Sequence, residues 1–388
     1  MAAANGNEIL DEMIVPLDQD ESEDDVSLDA QVTNDAVIFN TDWTVETLFR
    51  QIDKGNVDLD PQFQRREAWK IDRQSRFIES ILCNLPIPNV VLAEKKGQRG
   101  KYIVIDGKQR LHTIKSFFDG KFELKGLTIR DDLNSKRFSD IENAGDQDVA
   151  SLENYPIRTV IIRSWPDEDY LYTVFFRLNS GSLPLSPQEL RRALHGGHLL
   201  NFIDEFLLNS KEFKAVFGAN PDPRMRDVEM ALRYVGVDTN LDGYDGNLKR
   251  FLDNLVISTD GAWPNSEEMI RNSLDGMARA IKTTHAIFGE DSFKKWNGVK
   301  FERRTNRAVF DVMTRYFSQP DVAAAAEAAH ADVKRAFVDL CSNNEIFRNS
   351  IERTTKTREA TLQRLSLWGE ALGPVIGMTL DKSTFRMV

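Results

Sequence analysis

Apolar positions along the chain change period several times, and the changes divide it into elements. A helix runs through WTVETLFRQIDKG, with Asp42 or Thr41 placed to cap it and Gly55 to end it. Pro61 disfavours helix before it, so VDLDPQFQRREAWK reads as extended and loop-like. A second helix, IDRQSRFIESILCN, sets Ile71, Phe77, Ile78, Ile81 and Leu82 on one side and stops at LPIP. The period then shortens: NVVLAEKK and KYIVI are β-branched runs joined by GQRG as a hairpin, and PIRTVIIR is a third strand suited to the same sheet. Helical spacing returns at Leu171, Val174, Phe175 and Leu178. Ser186 as cap and Pro187 at the first helical position open another helix. From residue 198 onward the pattern is helical almost throughout, with polar loops near 220–223, 242–246 and 260–265, and DVAAAAEAAHADVKRAF is a strong helix former. The sum is an α+β chain: a small mixed sheet with helices over 36–185, followed by a mostly helical region over 186–388.

One junction in this pattern carries chemistry. In KYIVIDGKQRLHTIKSFFDG an apolar strand ends at Asp106, Gly107 permits a sharp turn, and Leu111, Ile114, Phe117 and Phe118 then follow at helical spacing. Such a corner directs the unpaired amides of a helix N-terminus, and the positive end of its dipole, away from the strand, which makes a seat for phosphate. Arg110 lies in the first turn, where a guanidinium can grip phosphate oxygens, and Asp106 is placed to position a metal-bound or attacking water. The alternative is that the two side chains only brace the turn.

Charge alters the picture of partners. The net charge is −11, yet residues 1–35 hold eleven acidic side chains and no Lys or Arg, so the remainder balances to formal neutrality. The acidic segment is too charged and too poor in apolar residues to fold alone and reads as a disordered tail. A sharper possibility is that it competes with nucleic acid for a basic face of the body. No run of about 18 apolar residues and no basic leader is present, which points to a soluble, cytoplasmic protein without a membrane partner. The two cysteines, Cys83 and Cys341, suit a reducing compartment.

Four elements occur in order: PQFQRREAW at 61–69, LPIPNVVLAE at 85–94, IDGKQR at 105–110 and FRLNSGSLPLSPQELRRA at 176–193. Together they resemble the ParB/sulfiredoxin-like domain that forms the N-terminal half of GmrSD-type modification-dependent restriction proteins, and the resemblance covers roughly residues 40–240. It implies a nucleotide-binding domain over 36–185 and a motif, DGQQR, tied to nucleoside triphosphate hydrolysis, with Mg²⁺, coupled to action on DNA in anti-phage defence. Asp106, Gly107, Gln109 and Arg110 match that motif, whereas Lys108 replaces its first glutamine. By the same resemblance Gln64 and Arg65 join the phosphate site, Arg65 as a second clamp, and Arg177 and Asn179 complete the pocket. The alternative for Asn179 is helix capping. The histidine-centred nuclease motif common in that family is not found among His112, His195, His198, His285 and His330. HGGH at 195–198 reads as a helix-end turn, so no metal ligand is assigned, and any nuclease or effector would be a separate subunit.

Arg65, Arg66, Lys70, Arg73 and Arg76 lie beside Phe63 and Trp69, and Arg66, Lys70 and Arg73 are the candidates for following a DNA backbone. Glu67 and Asp72 dilute the patch, and Arg303, Arg304 and Arg307 form a weaker cluster. The reading that results is a nucleotide-sensing and hydrolysing regulatory component of a restriction system. Two others stay open: a DNA-binding adaptor whose pocket has degenerated at Lys108, and a ParB-like metal-dependent nuclease. If the acidic segment competes with nucleic acid, deleting residues 1–30 tightens DNA binding at low salt. An affinity unchanged in a salt-series titration would leave only a solvated tail.

Overall fold

Residues 90–94, 102–106 and 156–163 alternate between two sets of apolar side chains, and a computed structural model of the chain places each set in a different core. The structure describes residues 21, 25, 26, 36–59, 69–178, 186–352 and 357–388. They divide into two units, one spanning Val26–Leu194 and the other Met1–Asp25 with His195–Val388.

The first unit contains β1 (Val37–Thr44), α1 (Val45–Asp53), β2 (Val57–Asp58), α2 (Ile71–Leu82), β3 (Val90–Glu94), β4 (Tyr102–Asp106), α3 (Lys108–Phe118), α4 (Phe138–Ala144), α5 (Asp146–Asn154), β5 (Pro156–Arg163), α6 (Glu168–Leu178) and α7 (Pro187–His195). The five strands form one mixed sheet in the order β1-β5-β3-β4-β2. β3 runs antiparallel to β4 and parallel to β5, while β2 joins β4 in parallel. Val90, Leu92, Tyr102, Val104 and Ile161 point to one face, packed with Ile78, Leu111, Ile114 and Phe117 from α2 and α3. Val91, Ala93, Ile103, Ile105 and Ile162 point to the other, with Leu171, Tyr172 and Phe175 from α6 and Leu190 from α7. Burial on both faces is why these strands read as continuous apolar runs.

The α+β class with a helical second half is therefore the observed one, and several local expectations are corrected. The helix expected from residue 42 begins at Val45, where the Thr44 side chain accepts from the Thr47 amide at 3.1 Å. The residues before it form β1, paired antiparallel with all of β5 from Val37↔Arg163 to Thr44↔Pro156. Ile71, expected on the apolar side of its helix, is 46% exposed. The first unit continues through α7, past the expected boundary at 185, because Leu190 is fully buried in the core around α6.

The second unit holds α8 (His198–Asn209), α9 (Lys211–Phe217), α10 (Arg226–Asn240), α11 (Leu248–Gly261), α12 (Glu267–Phe288), β6 (Lys294–Trp296), β7 (Phe301–Thr305), α13 (Arg307–Phe317), α14 (Pro320–Ala328), α15 (His330–Asn343), α16 (Glu345–Glu352), α17 (Arg358–Ile376), β8 (Leu380–Asp381) and β9 (Arg386–Met387). The two hairpins, β6–β7 and β8–β9, interrupt what the sequence presents as helix. The alanine-rich run is two helices, broken at Ala329. Arg307 does not share a surface with Arg303 and Arg304: it is 2% exposed and its Nη1 donates to Glu229 at 3.1 Å. Arg233 and Arg364 converge on Asp311 at 3.3 and 3.1 Å, so α10, α13 and α17 are joined by buried ion pairs as well as by apolar packing. Glu21 and Asp25, within the expected solvated tail, are buried, and Asn247 Nδ2 donates to the Asp25 carbonyl at 2.9 Å.

One buried carboxylate organises the chain between α3 and α4. Glu79 on α2 is 5% exposed, and its Oε1 accepts the backbone N–H groups of Thr128, Ile129 and Arg130 at 2.9, 2.7 and 2.9 Å. Removing it strands three donors where little water reaches. Glu79→Ala is expected to lower the unfolding free energy by about 3 kcal/mol in urea titration, and a loss under about 1 kcal/mol would show that the loop does not depend on it.

Candidate functional site

The strand-to-helix corner is built as the sequence indicates, with one addition. β4 ends at Asp106, and Gly107 takes the left-handed conformation, φ 97° and ψ 10°, as the N-cap of α3. A β-carbon at Gly107 would stand 3.0 Å from Val90 Cγ2 and 3.2 Å from Arg110 Nη2, so glycine is required by the backbone angle and by the returning arginine together. The Leu111 amide bonds the Gly107 carbonyl at 3.0 Å, and no side chain caps the helix. The first-turn amides thus lack intrahelical acceptors and face away from the helix with the positive end of its dipole.

Arg110 folds back across this turn. Its Nη2 donates to Asp106 Oδ2 at 2.7 Å and to the Asn89 carbonyl at 2.7 Å, tying the end of β4 to the residue that precedes β3. The guanidinium is 9% exposed and the Asp106 side chain 34%. Nη2 is therefore committed to bracing, while Nε–H is buried with no hydrogen-bond partner among the described residues. A buried guanidinium N–H without an acceptor is costly, and here it lies within 3.4 Å of the β-carbon position of Gly107. Asn89 is the participant that the sequence does not reveal, because it acts through its backbone carbonyl.

The other candidate residues separate. Gln109 Oε1 accepts from the Trp69 amide at 3.3 Å, so this side chain positions the entry to α2. Lys108 is buried at the first helical position. Lys70 and Arg73 are exposed at the start of α2, Arg73 with its guanidinium 4.5 Å over the Trp69 ring. Trp69 itself packs edge-on against Phe77 at 5.8 Å, beside the core. Arg177 is exposed in the last turn of α6. Gln64, Arg65, Arg66 and Asn179 lie outside the described residues. At α7, Ser186 and Glu189 cap reciprocally, the Ser186 amide to Glu189 Oε2 at 2.6 Å and the Glu189 amide to Ser186 Oγ at 3.1 Å. His198, half of HGGH, stacks on Trp263 at 5.6 Å.

Residues 45–196, under half of the chain, match the family model of the GmrSD restriction endonuclease N-terminal domain. The chain carries a GmrSD-type N-terminal domain. The match takes in the corner, α2, every strand of the five-stranded sheet except β1, and α7 to its end. No curated protein and no solved structure matches the chain significantly. No helix among the described residues is long and apolar enough to cross a membrane.

One titratable group of the GmrSD-type domain sits just inside the corner. His112, one turn into α3, is 2% exposed, and burial, aided by the charges of Lys121 and Lys108, pulls its pKa down to about 4. It is neutral at pH 7 and adds no charge to the site. Because the folded state resists a proton that the unfolded chain accepts near pH 6.5, stability falls as pH drops from above 6.5 toward 4 and loses nothing further from this group below that. The expected loss is about 3 kcal/mol. His112→Gln should remove that part of the slope in unfolding measured across pH, and an unchanged slope would place the effect on other groups.

Proposed function

We propose that the GmrSD-type domain binds and hydrolyses a nucleoside triphosphate at the N-terminus of α3, and that this event regulates a DNA-directed restriction system in phage defence. The domain type supports the wider assignment, since it is that of a restriction endonuclease. The observation that carries the nucleotide reading is the orphaned Nε–H of Arg110, buried beside Gly107 at an uncapped helix N-terminus. A phosphate oxygen supplies the acceptor that this group lacks, in the place where the first-turn amides and the dipole also favour negative charge.

In this reading phosphates seat against the amides that follow Gly107. Arg110 serves them through a guanidinium already locked by Asp106 and Asn89, so little side-chain freedom is lost on binding. Lys108 adds positive charge, and Arg65, Gln64, Arg177 and Asn179 complete the pocket. Asp106 retains Oδ1, which has no hydrogen-bond partner among the described residues, to orient water. Asp106 offers a carboxylate oxygen that would help hold a Mg²⁺ ion accompanying the triphosphate, and when bound the ion would neutralise charge on the phosphates. DNA is engaged by the basic residues of this chain, and strand cleavage belongs to a separate effector subunit.

A second reading is favoured by the closed Arg110–Asp106 pair: a DNA-binding adaptor in which the corner is only braced. Turnover separates them. Asp106→Asn and Arg110→Ala are each expected to abolish triphosphate hydrolysis by the full chain while its circular dichroism is retained, with Arg110→Lys keeping the fold should the alanine variant lose it. Hydrolysis that survives both substitutions would move the site elsewhere, and calorimetry without heat for ATP, GTP or CTP would favour the adaptor.

A further inference from the structure

The β6–β7 hairpin takes no part in the nucleotide site. Residues 294–304 hold five cations, Lys294, Lys295, Lys300, Arg303 and Arg304, against one acid, Glu302, in a chain that is formally neutral outside its first 35 residues. Lys295 is neutralised by Glu302 at 2.8 Å and Glu352 at 3.0 Å. The side chains of Lys294, Lys300 and Arg304 have no polar partner among the described residues, and Lys300 and Arg304 are exposed. Three uncompensated charges thus lie along one narrow ribbon.

The ribbon is held firmly at both ends. At its base the Asn306 amide bonds the Phe293 carbonyl at 2.8 Å, and next to the turn Phe301 packs edge-on against Phe288 at 6.2 Å and against its cross-strand partner Trp296 at 5.2 Å. At its tip Asn297 Oδ1 accepts from the amides of Val299 and Lys300 at 3.1 and 3.0 Å, and Gly298 supplies the left-handed residue, φ 95°. That turn lifts Val299 into solvent at 82% exposure, more than any other large apolar side chain among the described residues.

We infer that the β6–β7 hairpin is a groove-binding ribbon for duplex DNA, its cations on the phosphates and Val299 against the base edges. The major groove of B-form DNA, about 12 Å wide, admits a two-stranded ribbon, and an apolar tip finds thymine methyl groups at its floor. An RNA duplex closes its major groove to such an element. A lipid surface is disfavoured because both aromatic side chains, Trp296 and Phe301, turn inward and leave no interfacial anchor. The inference rests on the reading of DNA as partner, and it locates part of that contact outside the GmrSD-type domain.

The test uses the full chain and a short fluorescein-labelled DNA duplex of mixed sequence, with anisotropy read over a salt series. The combined Lys294→Gln, Lys300→Gln and Arg304→Gln variant should lose at least about tenfold in affinity, and the slope of log K against log salt should flatten by about 2.7 for three lost phosphate contacts. Val299→Ser should weaken binding with the slope unchanged. A charge-matched control, Lys54→Gln, Lys125→Gln and Lys136→Gln, should leave the slope near that of the parent, and melting temperatures should agree throughout. Equal losses in hairpin and control variants, or a hairpin variant that binds like the parent, would overturn the ribbon while DNA binding stands. A parent chain that ignores duplex DNA would overturn the partner as well. Tighter binding to an RNA duplex or to anionic vesicles would overturn the assignment to DNA.

Discussion

A single guanidinium fixes the geometry on which the account of this protein depends. Arg110 reaches back from the first turn of α3 to Asp106 at the end of β4 and to the carbonyl of Asn89 ahead of β3, so strand end, loop and helix start are locked at one point. The lock requires Gly107, since a β-carbon there would press on both Val90 and the arginine. It is incomplete in one respect: the arginine still carries a buried N–H with nothing among the described residues to accept it. A brace that satisfies all its donors needs no ligand. This one leaves a donor over, beside first-turn amides that have no intrahelical acceptor.

The sheet makes that corner rigid. β4 alternates between two cores, Tyr102 and Val104 to one and Ile103 and Ile105 to the other, so a slip of one residue would exchange the two sets and displace Asp106. The second unit relies on a different device. Its helices enclose charged pairs, Arg307 with Glu229 and two arginines on Asp311, whose partners must be present together because a lone buried charge is far more costly than a pair. Each unit thus contributes a separate feature: an uncapped helix N-terminus at the end of a strand, and a cation-rich hairpin packed on a helical core.

Elements whose determinants are local were legible in the sequence. β3, β4 and β5 appear as apolar runs because both faces are covered, and α7 is announced by Ser186 and Pro187, whereas the return bond from Glu189 to the Ser186 amide emerges in the structure. Gly107 marked the corner for the same reason. What could not be read depends on partners distant in the chain. β1 exposes Val37, Ile38 and Phe39 and becomes a strand through pairing with β5, more than 110 residues on. Arg307 resembles a surface cation until Glu229, 78 residues earlier, meets it inside the second core. Asn89 leaves no trace because a carbonyl acceptor is the same in every residue. The β6–β7 hairpin was hidden by its composition, since KKWNGVKFERRT mixes charge with aromatic residues whose anchors, Phe288 among them, lie elsewhere in the second core.

Hydrogen exchange at the backbone amides of Lys108, Gln109 and Arg110, measured on the full chain with and without a saturating triphosphate, tests phosphate binding at this corner most directly. Phosphate seated on the first turn of α3 predicts that exchange at these three positions slows while the remainder of α3 is little changed. Nucleotide that binds without protecting them, or protection that persists at full strength when Gly107 is replaced by alanine, would contradict it.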